Sequence, residues 1–331
     1  MESKSAISLL KSSVIVPAFN AEDKLPACLG ALRDQSMHGK DYELILVDDG
    51  SSDDTSKIAR QFNVKYIYQS NRGPAAARNR GAYEAKGEII LFTDADCIPD
   101  RNWIHEMVLP FEDPEVVGVK GAYKTRQTQL TARFVQAEFE DRYDLLQRQA
   151  SIDMIDTYSA AFKKDIFQEM GGFDESFPVA NNEDTEFSYR LAAAGHKLVF
   201  NPRAFVYHTH SDTLGKYLKL KFGRGYWRMV VYRRYPDKAV KDSYTPGIIK
   251  IQTLLMALAL SLFFLSWVVP GLLYLGLLFC FFIVLSSFPF SLKVFRKDRV
   301  VGLISPGFVF LRALVFSVGS LLGIARCLLK L

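Results

Sequence analysis

The sequence predicts an α/β domain built on a largely parallel sheet, followed by a C-terminal region of membrane helices. Three observations predict this architecture. Short apolar runs alternate with helical stretches from Ser13 onward, acidic clusters follow two of those runs, and the last third of the chain is apolar and basic. Alternation of strands and helices is typical of a parallel sheet covered by helices.

The order of predicted elements follows from hydrophobic periodicity. The predicted strands of the first part cover residues 14–17, 43–47, 64–68 and 88–93, and the helices between them cover residues 24–35, 52–62 and 74–85. A less regular part follows, with helices predicted over residues 129–149 and 185–194 and closing strands over residues 198–200 and 205–208. Open α/β sheets bind ligands at the carboxyl ends of their strands, so we expect the site there.

Charge divides the chain into two parts. Residues 213–331 hold 17 lysines and arginines against 3 acidic residues, a balance of +14, whereas residues 1–212 have a balance of −9. The acidic part suits a domain that binds cations, and the basic, apolar part suits an anionic membrane surface. Nothing resembles a base-reading module, so no nucleic-acid partner is expected. The four cysteines have no paired spacing, which indicates neither a disulfide framework nor a zinc site.

Two apolar stretches have the length of membrane-spanning helices, which is about 20 residues. Residues 248–269 carry one charge, Lys250 near the start, and a Pro-Gly pair separates them from residues 271–292. So short a break predicts a helical hairpin. Basic residues follow its second helix and place that end in the cytoplasm: Lys293, Arg296, Lys297 and Arg299.

A third apolar stretch, residues 307–329, carries Arg312 and Arg326 on one helical stripe with Gly319. Three placements are open: across the bilayer, at its interface, or with that stripe packed on neighbouring helices. The N-terminal residues 1–13 have too short an apolar run for a signal peptide. We therefore expect a multi-pass protein of the cell membrane whose front domain faces the cytoplasm.

Asp94 and Asp96 are the strongest local signal for chemistry. One residue separates them, and they follow the predicted strand over residues 88–93. Carboxylates at this spacing suit Mg²⁺ or Mn²⁺ that holds a diphosphate. Such a triplet also occurs in ordinary solvated turns, so the motif alone does not decide a function.

Asp48 and Asp49 begin a second acidic cluster, residues 47–55, after the predicted strand over residues 43–47. Serine and aspartate side chains of this cluster can cap the following helix. An acidic residue beyond an early strand also accepts hydrogen bonds from a nucleobase or a ribose in nucleotide sites. Both interpretations are open at this point.

In their order along the chain, these motifs resemble those of the family 2 glycosyltransferases, whose GT-A fold is a Rossmann-like fold for nucleotide-diphospho-sugars. The resemblance covers roughly residues 12–210. Residues 13–20 (SVIVPAFN) resemble the first strand and nucleotide loop, residues 47–51 (VDDGS) the nucleoside-binding motif, residues 71–79 (NRGPAAARN) the segment over the diphosphate, and residues 93–96 (TDAD) the metal-binding motif.

The resemblance implies a nucleotide-sugar donor and a divalent metal, Mg²⁺ or Mn²⁺. The implied metal ligands are Asp94, Asp96 and His208, although His208 can equally be a structural histidine at the end of a strand. A guanidinium binds phosphate bidentately, which suits Arg78 for the diphosphate, and an exposed helix arginine is the alternative. The implied donor-binding residues are Pro17, Ala18, Asn20, Asp48, Asp49, Arg78 and Asp94.

Residues 171–175 (GGFDE) and 182–184 (NED) resemble two further motifs of the family. The resemblance makes Asp184 the candidate general base and places Glu183 on the acceptor side. An inverting transfer needs a carboxylate that takes the proton of the attacking hydroxyl. The alternative is an acidic first turn of a helix, stabilised by the helix dipole.

The segment from Lys216 to Arg234 contains seven basic residues and no acidic one, interleaved with aromatic residues. Basic and aromatic side chains together favour the lipid headgroup layer or an acceptor that carries phosphate, and a solvated helix face is the alternative. The residues predicted to lie at this acceptor and membrane interface are Lys221, Arg224, Trp227 and Arg228.

We therefore expect a glycosyltransferase domain over residues 1–212, an interface segment over residues 213–247 and membrane helices over residues 248–331. The expected enzyme is of the hexosyltransferase type and moves one sugar to a hydroxyl of a lipid or a lipid-linked glycan. A polyprenyl-phosphate sugar synthase is the alternative. Its anionic acceptor needs no base, so the motif of Glu183 and Asp184 favours a hydroxyl acceptor over it. The chain lacks the Gln-x-x-Arg-Trp motif of processive polysaccharide synthases, and it retains the carboxylates that a non-catalytic scaffold would have lost.

Overall fold

The computed structural model describes residues 12–177 and 182–329. Residues 1–11, on which the expectation about a signal peptide largely depends, lie outside this part. The strands in chain order are β1 (Ser12–Ala18), β2 (Tyr42–Asp48), β3 (Lys65–Tyr68), β4 (Ile89–Phe92), β5 (Cys97–Pro99), β6 (Val116–Lys124), β7 (Ala160–Lys163) and β8 (Lys197–His208).

Helices surround these strands and then continue alone to the end of the described chain. In order they are α1 (Leu25–Arg33), α2 (Thr55–Ala59), α3 (Pro74–Glu84), α4 (Trp103–Val108), α5 (Leu130–Leu146), α6 (Lys164–Glu169), α7 (Glu183–Ala193), α8 (Leu214–Arg234), α9 (Pro236–Val240), α10 (Gly247–Leu265), α11 (Leu272–Ser286), α12 (Phe288–Lys297) and α13 (Arg299–Leu329). The described chain divides into two compact units. The first comprises residues 12–124 and 150–208, and the second comprises residues 125–149 and 209–329.

The first unit is built on an eight-stranded sheet with the order β3-β2-β1-β4-β7-β6-β8-β5. The half formed by β3, β2, β1 and β4 is parallel, as the sequence predicts. The other half is mixed, because β7 is antiparallel to both of its neighbours and β5 is antiparallel to β8. The strands β1 and β4 are continuous apolar runs with almost no exposed residue, which is typical of parallel strands covered on both faces.

The predicted strands over residues 198–200 and 205–208 are one strand, β8. Its pairing with β6 jumps from Lys120 opposite Phe200 to Ala122 opposite Phe205, so β8 bulges between these pairs. Pro202 lies in the bulge, where it needs no partner for its missing N–H. The predicted gap between two strands is therefore an interruption of pairing within one strand.

The second unit consists of helices. Three of its helical segments are long and apolar enough to cross a membrane: Gly247–Leu265, Leu272–Lys297 and Arg299–Leu329. The first two correspond to the predicted hairpin, and α10 packs against α11. The third begins eight residues before the predicted stretch, since Pro306 lies inside α13 without ending it. Prolines are tolerated in such helices where neighbouring groups satisfy the freed carbonyl.

The stripe of α13 that carries two arginines packs on neighbouring helices. Arg312 is buried and donates to Gln252 of α10 at 2.8 Å. A Cβ at Gly319 would lie 2.3 Å from the Phe222 carbonyl oxygen, so only glycine permits this close approach of α8. Arg326 lies 4.6 Å from the centre of the Trp227 ring. The predicted packing of this stripe on neighbouring helices is therefore observed, and the placement of the helix across the bilayer or at its interface stays a prediction.

Candidate functional site

A cleft of about 560 Å³ lies at the carboxyl ends of β1, β2 and β4 in the first unit. This is the edge at which open α/β sheets bind ligands. Its lining includes eight of the residues that the sequence analysis selects: Pro17, Ala18, Asn20, Asp49, Arg78, Asp94, Asp96 and His208.

Asp48 and Asp49 hold the loops around the cleft. Asp48 is buried behind the cleft, and the Tyr66 hydroxyl donates to its carboxylate at 2.7 Å. Asp49 lines the cleft and accepts from the backbone N–H groups of Arg72 and Gly73, each at 2.9 Å. These bonds fix the loop that leads into α3.

Gly73 directs the N-terminus of α3 toward the cleft. Its φ angle of +91° lies in a region that glycine adopts readily, and Pro74 then begins the helix. Because the first N–H groups of a helix are unsatisfied within it and carry partial positive charge, such an end suits a phosphate. The residues that lead into and begin α3 therefore give the cleft an anion-binding character.

Asn20 has a left-handed backbone conformation, with φ of +48°, which is uncommon for a residue other than glycine. Three hydrogen bonds hold it, the longest from the Ser52 hydroxyl to its side-chain oxygen at 3.3 Å. Its N–H donates to the Ser51 hydroxyl at 2.9 Å, and its side-chain oxygen accepts from the Ser52 N–H at 2.8 Å. The loop after β1 and the acidic cluster after β2 are thereby fixed to each other at the mouth of the cleft.

Arg78 lies between two carboxylates. It is 3% exposed, and its two terminal nitrogens donate to Asp94 Oδ1 at 2.7 Å and to Glu183 Oε1 at 2.9 Å. Glu183 is 2% exposed, whereas the Asp94 side chain is 29% exposed and lines the cleft. The three side chains therefore form a triad with one negative charge in excess, in which Arg78 and Glu183 are buried. The sequence analysis gives Arg78 to the diphosphate and Glu183 to the acceptor side. In the structure these two side chains bind each other.

Asp96 lies beside His208. The distance from Asp96 Oδ2 is 3.6 Å both to His208 Nε2 and to the Lys24 ammonium. Burial alone would raise the pKa of Asp96, but the contact with His208 and the Lys24 charge lower it. The His208 ring stacks on Tyr123 with 4.5 Å between ring centres.

Asp96, Cys97 and His208 each offer one ligand atom, and these atoms lie within 4.8 Å of one another. A carboxylate oxygen and an imidazole nitrogen suit Mn²⁺ and similar divalent ions. Burial and the neighbouring carboxylates raise the pKa of the Cys97 thiol well above its usual value, and a protonated thiol is a poor ligand. The donor set of Asp96 and His208 therefore fits a divalent metal of this kind.

Asp184 lies in the first turn of α7 and accepts a hydrogen bond from the Thr185 N–H at 2.7 Å. Burial, followed by the charges of Glu183 and Asp156, raises the pKa of Asp184 to about 7. A carboxylate with that pKa can accept a proton near neutral pH. The first turn also holds Glu186, so the acidic helix start that the sequence offers as an alternative exists as well.

Two lysines of the first unit lie at charged contacts that were not predicted from the sequence. Lys24 faces Asp96, and no local pattern marks it. Lys120 is fully buried in β6, where it donates to Asp156 and, at 3.0 Å, to the Tyr158 hydroxyl. Lys120 could have been found from its position within an apolar run. Such a run predicts burial, and a buried ammonium group needs a polar or charged partner.

The four predicted interface residues lie on α8 in the second unit. Lys221 is 4% exposed and donates to Glu138 at 2.7 Å, and Arg228 is 8% exposed. Arg224 and Trp227 are half-buried. A solvated helix face is therefore wrong for Lys221 and Arg228, which point into the second unit.

Comparisons with known proteins agree with this fold. Residues 13–171 match the family model for glycosyl transferase family 2. Glycosyltransferase AglE of Haloferax volcanii is 30% identical over 230 residues, which cover 66% of this chain and 73% of that protein. The pre-mycofactocin glycosyltransferase of Mycobacterium tuberculosis is 27% identical over 240 residues, 68% of this chain and 48% of that protein, so the match spans about half of its length.

A solved structure supports the same assignment. The mannosyltransferase PcManGT of Pyrobaculum calidifontis, in complex with GDP-Man and Mn²⁺, has a TM-score of 0.62 at 18% identity and covers 97% of this chain and 88% of its own. This likeness confirms a GT-A fold with C-terminal helices. With the family model and the relative in Haloferax, it identifies the chain as a member of the family 2 glycosyltransferases.

Proposed function

We propose that this protein is a membrane-anchored inverting enzyme that moves one sugar from a nucleotide-sugar to a hydroxyl of a lipid or a lipid-linked glycan. The single observation that carries the proposal is the position and pKa of Asp184. Its carboxylate has a pKa of about 7, and Arg78, which lines the strand-end cleft, is among the charges that act on it. The proposal therefore places a base for an attacking hydroxyl beside a site for a charged donor.

The donor binds in the cleft in this proposal. The N-terminus of α3 faces the diphosphate, and Asn20 and Asp49 bind the nucleoside together with Pro17 and Ala18. Helix N-termini commonly bind phosphate groups, which supports this orientation. The GDP-Man in the Pyrobaculum mannosyltransferase supports a nucleotide-sugar as the donor class.

A divalent metal, Mg²⁺ or Mn²⁺, belongs to the proposed donor site. Asp96 and His208 would hold it, and Asp94, which pairs with Arg78, lines the same cleft. When bound, such a metal neutralises charge on a departing nucleoside diphosphate. The Mn²⁺ in the Pyrobaculum structure supports a metal of this class.

Asp184 acts as the general base in this proposal. It takes the proton of the acceptor hydroxyl as that oxygen attacks the sugar carbon from the face opposite the diphosphate. Glu183 contributes through its charge, because a neighbouring carboxylate raises the pKa of Asp184. The role of Glu183 is thus to tune the base and to hold Arg78.

The acceptor is proposed to reside in the membrane. The three apolar helical segments of the second unit support membrane attachment, and the basic residues after the second of them support a cytoplasmic domain. Transfer onto a lipid phosphate is a second candidate. One observation favours it, a cavity in the second unit that basic side chains line.

The test is transfer by the detergent-purified protein from a panel of UDP-, GDP- and dTDP-sugars to a membrane lipid extract. Metal is first removed with a chelator and Mn²⁺ or Mg²⁺ is then restored. We expect one donor to be used, only with metal, and we expect Asp96→Ala to abolish transfer while the exposed control Asp34→Ala retains it. Metal-independent transfer, or full activity of Asp96→Ala, would contradict the proposal. Transfer onto a polyprenyl phosphate that Asp184→Asn leaves unchanged would establish the second candidate.

A further inference from the structure

The second unit contains a cavity of about 290 Å³ among α5, α8, α10, α13 and the segment after α9. No acidic side chain lines it in the described part of the chain. Six basic side chains line it, and they come from four different helices: Arg142, Lys221, Arg224, Arg228, Lys250 and Arg312. Such a concentration of like charge is unfavourable in a buried site unless counter-charges offset it.

Two carboxylates supply part of that counter-charge. Glu138 accepts from Lys221 at 2.7 Å and from Arg312 at 2.6 Å, and Asp242 lies 2.9 Å from the Lys250 ammonium. The other acidic residues of the second unit pair with basic residues outside the cavity lining: Asp141 and Asp144 with Lys293, Glu140 with Lys297, Asp298 with Arg133, Asp212 with Lys216, and Asp237 with Lys238. Among the described residues of this unit, Glu138 and Asp242 are the carboxylates whose ion pairs with the lining cations are established.

The ionisation of the buried groups agrees with an excess of positive charge. Burial alone would raise the pKa of Glu138, yet the charges of Lys221, Arg312 and Arg142 lower it below its usual range. Burial lowers the pKa of Lys221 to about 7, and the nearby Arg142 and Arg224 act in the same direction while Glu138 opposes them. An anion in the cavity would stabilise the protonated form of Lys221.

The remaining walls of the cavity are largely apolar. Ile249, Leu254 and Ala257 come from the first three turns of α10, about 15 Å of helix. Leu321 and Ile324 come from α13. Both helices are long and apolar enough to cross a membrane. A molecule that reaches these walls from the bilayer is a lipid, and the basic lining near the start of α10 suits an anionic headgroup.

We propose that this cavity binds a membrane lipid that carries a phosphate or diphosphate headgroup, with the headgroup among the basic side chains and the hydrocarbon chain along α10 and α13. Arginines suit such a headgroup because the guanidinium binds phosphate oxygens bidentately. A free phosphate would use the basic lining and leave the apolar walls uncovered. The inference deepens the second candidate of the proposed function, which the same cavity supports, and it is independent of the first, because lipid binding here requires neither donor nor metal.

The test measures lipid binding to the detergent-purified protein by native mass spectrometry, with a chelator present and no nucleotide-sugar. The probes are a polyprenyl monophosphate, the corresponding uncharged polyprenol, and inorganic phosphate as a competitor. We expect the lipid phosphate to bind at least about tenfold more tightly than the polyprenol, since hydrogen bonds to charged groups are worth that factor or more. We expect equimolar inorganic phosphate not to displace it.

Two variants and one control locate the site. Arg224→Gln removes a half-buried lining charge and leaves the Glu138 pairs intact, so we expect binding about tenfold weaker. Leu321→Ala shortens the apolar wall and is expected to weaken lipid binding without changing the unfolding temperature of the lipid-free protein greatly. The control Lys219→Gln removes an exposed charge from the same helix and should bind as the wild type does.

Equal binding of polyprenol would contradict the role of the basic lining. Displacement by equimolar inorganic phosphate would show that the cavity binds the anion alone, and it would contradict the proposal of a lipid ligand. Unchanged affinity of both Arg224→Gln and Leu321→Ala would place the lipid elsewhere. Because donor and metal are absent, any of these failures leaves the proposed transfer reaction standing, and failure of transfer leaves this site standing.

Discussion

Each unit has a triad of charged side chains, buried throughout in the second unit and open to the cleft at Asp94 in the first, and the two triads have opposite sign. In the first unit Arg78 lies between Asp94 and Glu183, at 2.7 and 2.9 Å. In the second unit Glu138 lies between Lys221 and Arg312, at 2.7 and 2.6 Å. One arrangement leaves a negative charge in excess, and the other leaves a positive charge.

The sign of the excess charge indicates which kind of ligand each unit can bind. A buried ion is expensive unless it is paired, so an excess charge that is retained beside a cleft or cavity favours a ligand of the opposite sign. The first unit is therefore suited to a metal cation beside its carboxylates. The second unit is suited to an anion beside its arginines. The opposite charge balances of the two parts of the sequence agree with this contrast.

The largest expected effect concerns Asp184, the carboxylate on which the proposed chemistry depends. We expect Asp184→Asn to lower kcat for transfer by roughly 100- to 10,000-fold, the range for loss of a general base. Asn keeps the hydrogen bond from Thr185 but cannot take a proton. Asp34→Asn, an exposed change in the same unit, should retain wild-type kcat. If kcat of Asp184→Asn falls by less than tenfold, Asp184 is not the general base.

The next effect is on stability and breaks the triad of the first unit. Arg78→Met leaves two carboxylates beside each other without their partner, and we expect a loss of about 3–5 kcal/mol in the free energy of unfolding. Arg80→Met, on the same helix, removes an exposed ion pair with Glu84 and should change the stability by less than about 1 kcal/mol. Thermal unfolding in detergent measures both. Equal unfolding temperatures of the two variants would show that the ion pairs of Arg78 stabilise the fold no more than the exposed pair of Arg80.

The corresponding change in the second unit is Glu138→Gln. We expect a loss of about 3 kcal/mol, because the amide oxygen still accepts a hydrogen bond while the negative charge is gone. A phosphate-bearing lipid should then raise the unfolding temperature of Glu138→Gln more than that of the wild type. Glu140→Gln breaks a more exposed pair with Lys297 and serves as the control. If the lipid stabilises all three proteins equally, the contrast between the two triads does not extend to ligands.

The smallest effects concern pH. With the pKa of Asp184 at about 7, the rate of transfer should fall about tenfold per pH unit below 7 and level off above it. The same raised pKa destabilises the folded protein progressively as pH rises from about 4 to 7, since the folded state binds the proton more tightly than the unfolded state does. Asp184→Asn should therefore unfold at a higher temperature than the wild type at pH 8, and the two should converge near pH 4. A wild type that is the more stable protein at pH 8 would contradict the raised pKa.

Local sequence patterns predicted much of the fold. The predicted strands over residues 14–17 and 43–47 are confirmed as parts of β1 and β2, because parallel buried strands are continuous apolar runs. The strand β6 was not predicted, since its glycines and Lys120 interrupt the apolar pattern. Partners from β7 and β8 on both sides of β6 decide that it is a strand. The predicted boundary at residue 212 stays a prediction, although α5 belongs to the compact unit that contains the long apolar helices.

Periodicity and motifs a few residues long are enough to predict the α/β class, the strand-end positions of Asp94 and Asp96, the family and the apolar helices. Which charged side chains lie against each other follows only from the packing of distant parts of the chain. Arg78 and Glu183 are 105 residues apart, and Glu138 and Arg312 are 174 apart. The pKa of Asp184 and the basic lining of the cavity depend on such contacts between distant residues and on burial. Those quantities have no local signature, since packing alone sets the distance between residues that are remote in the chain.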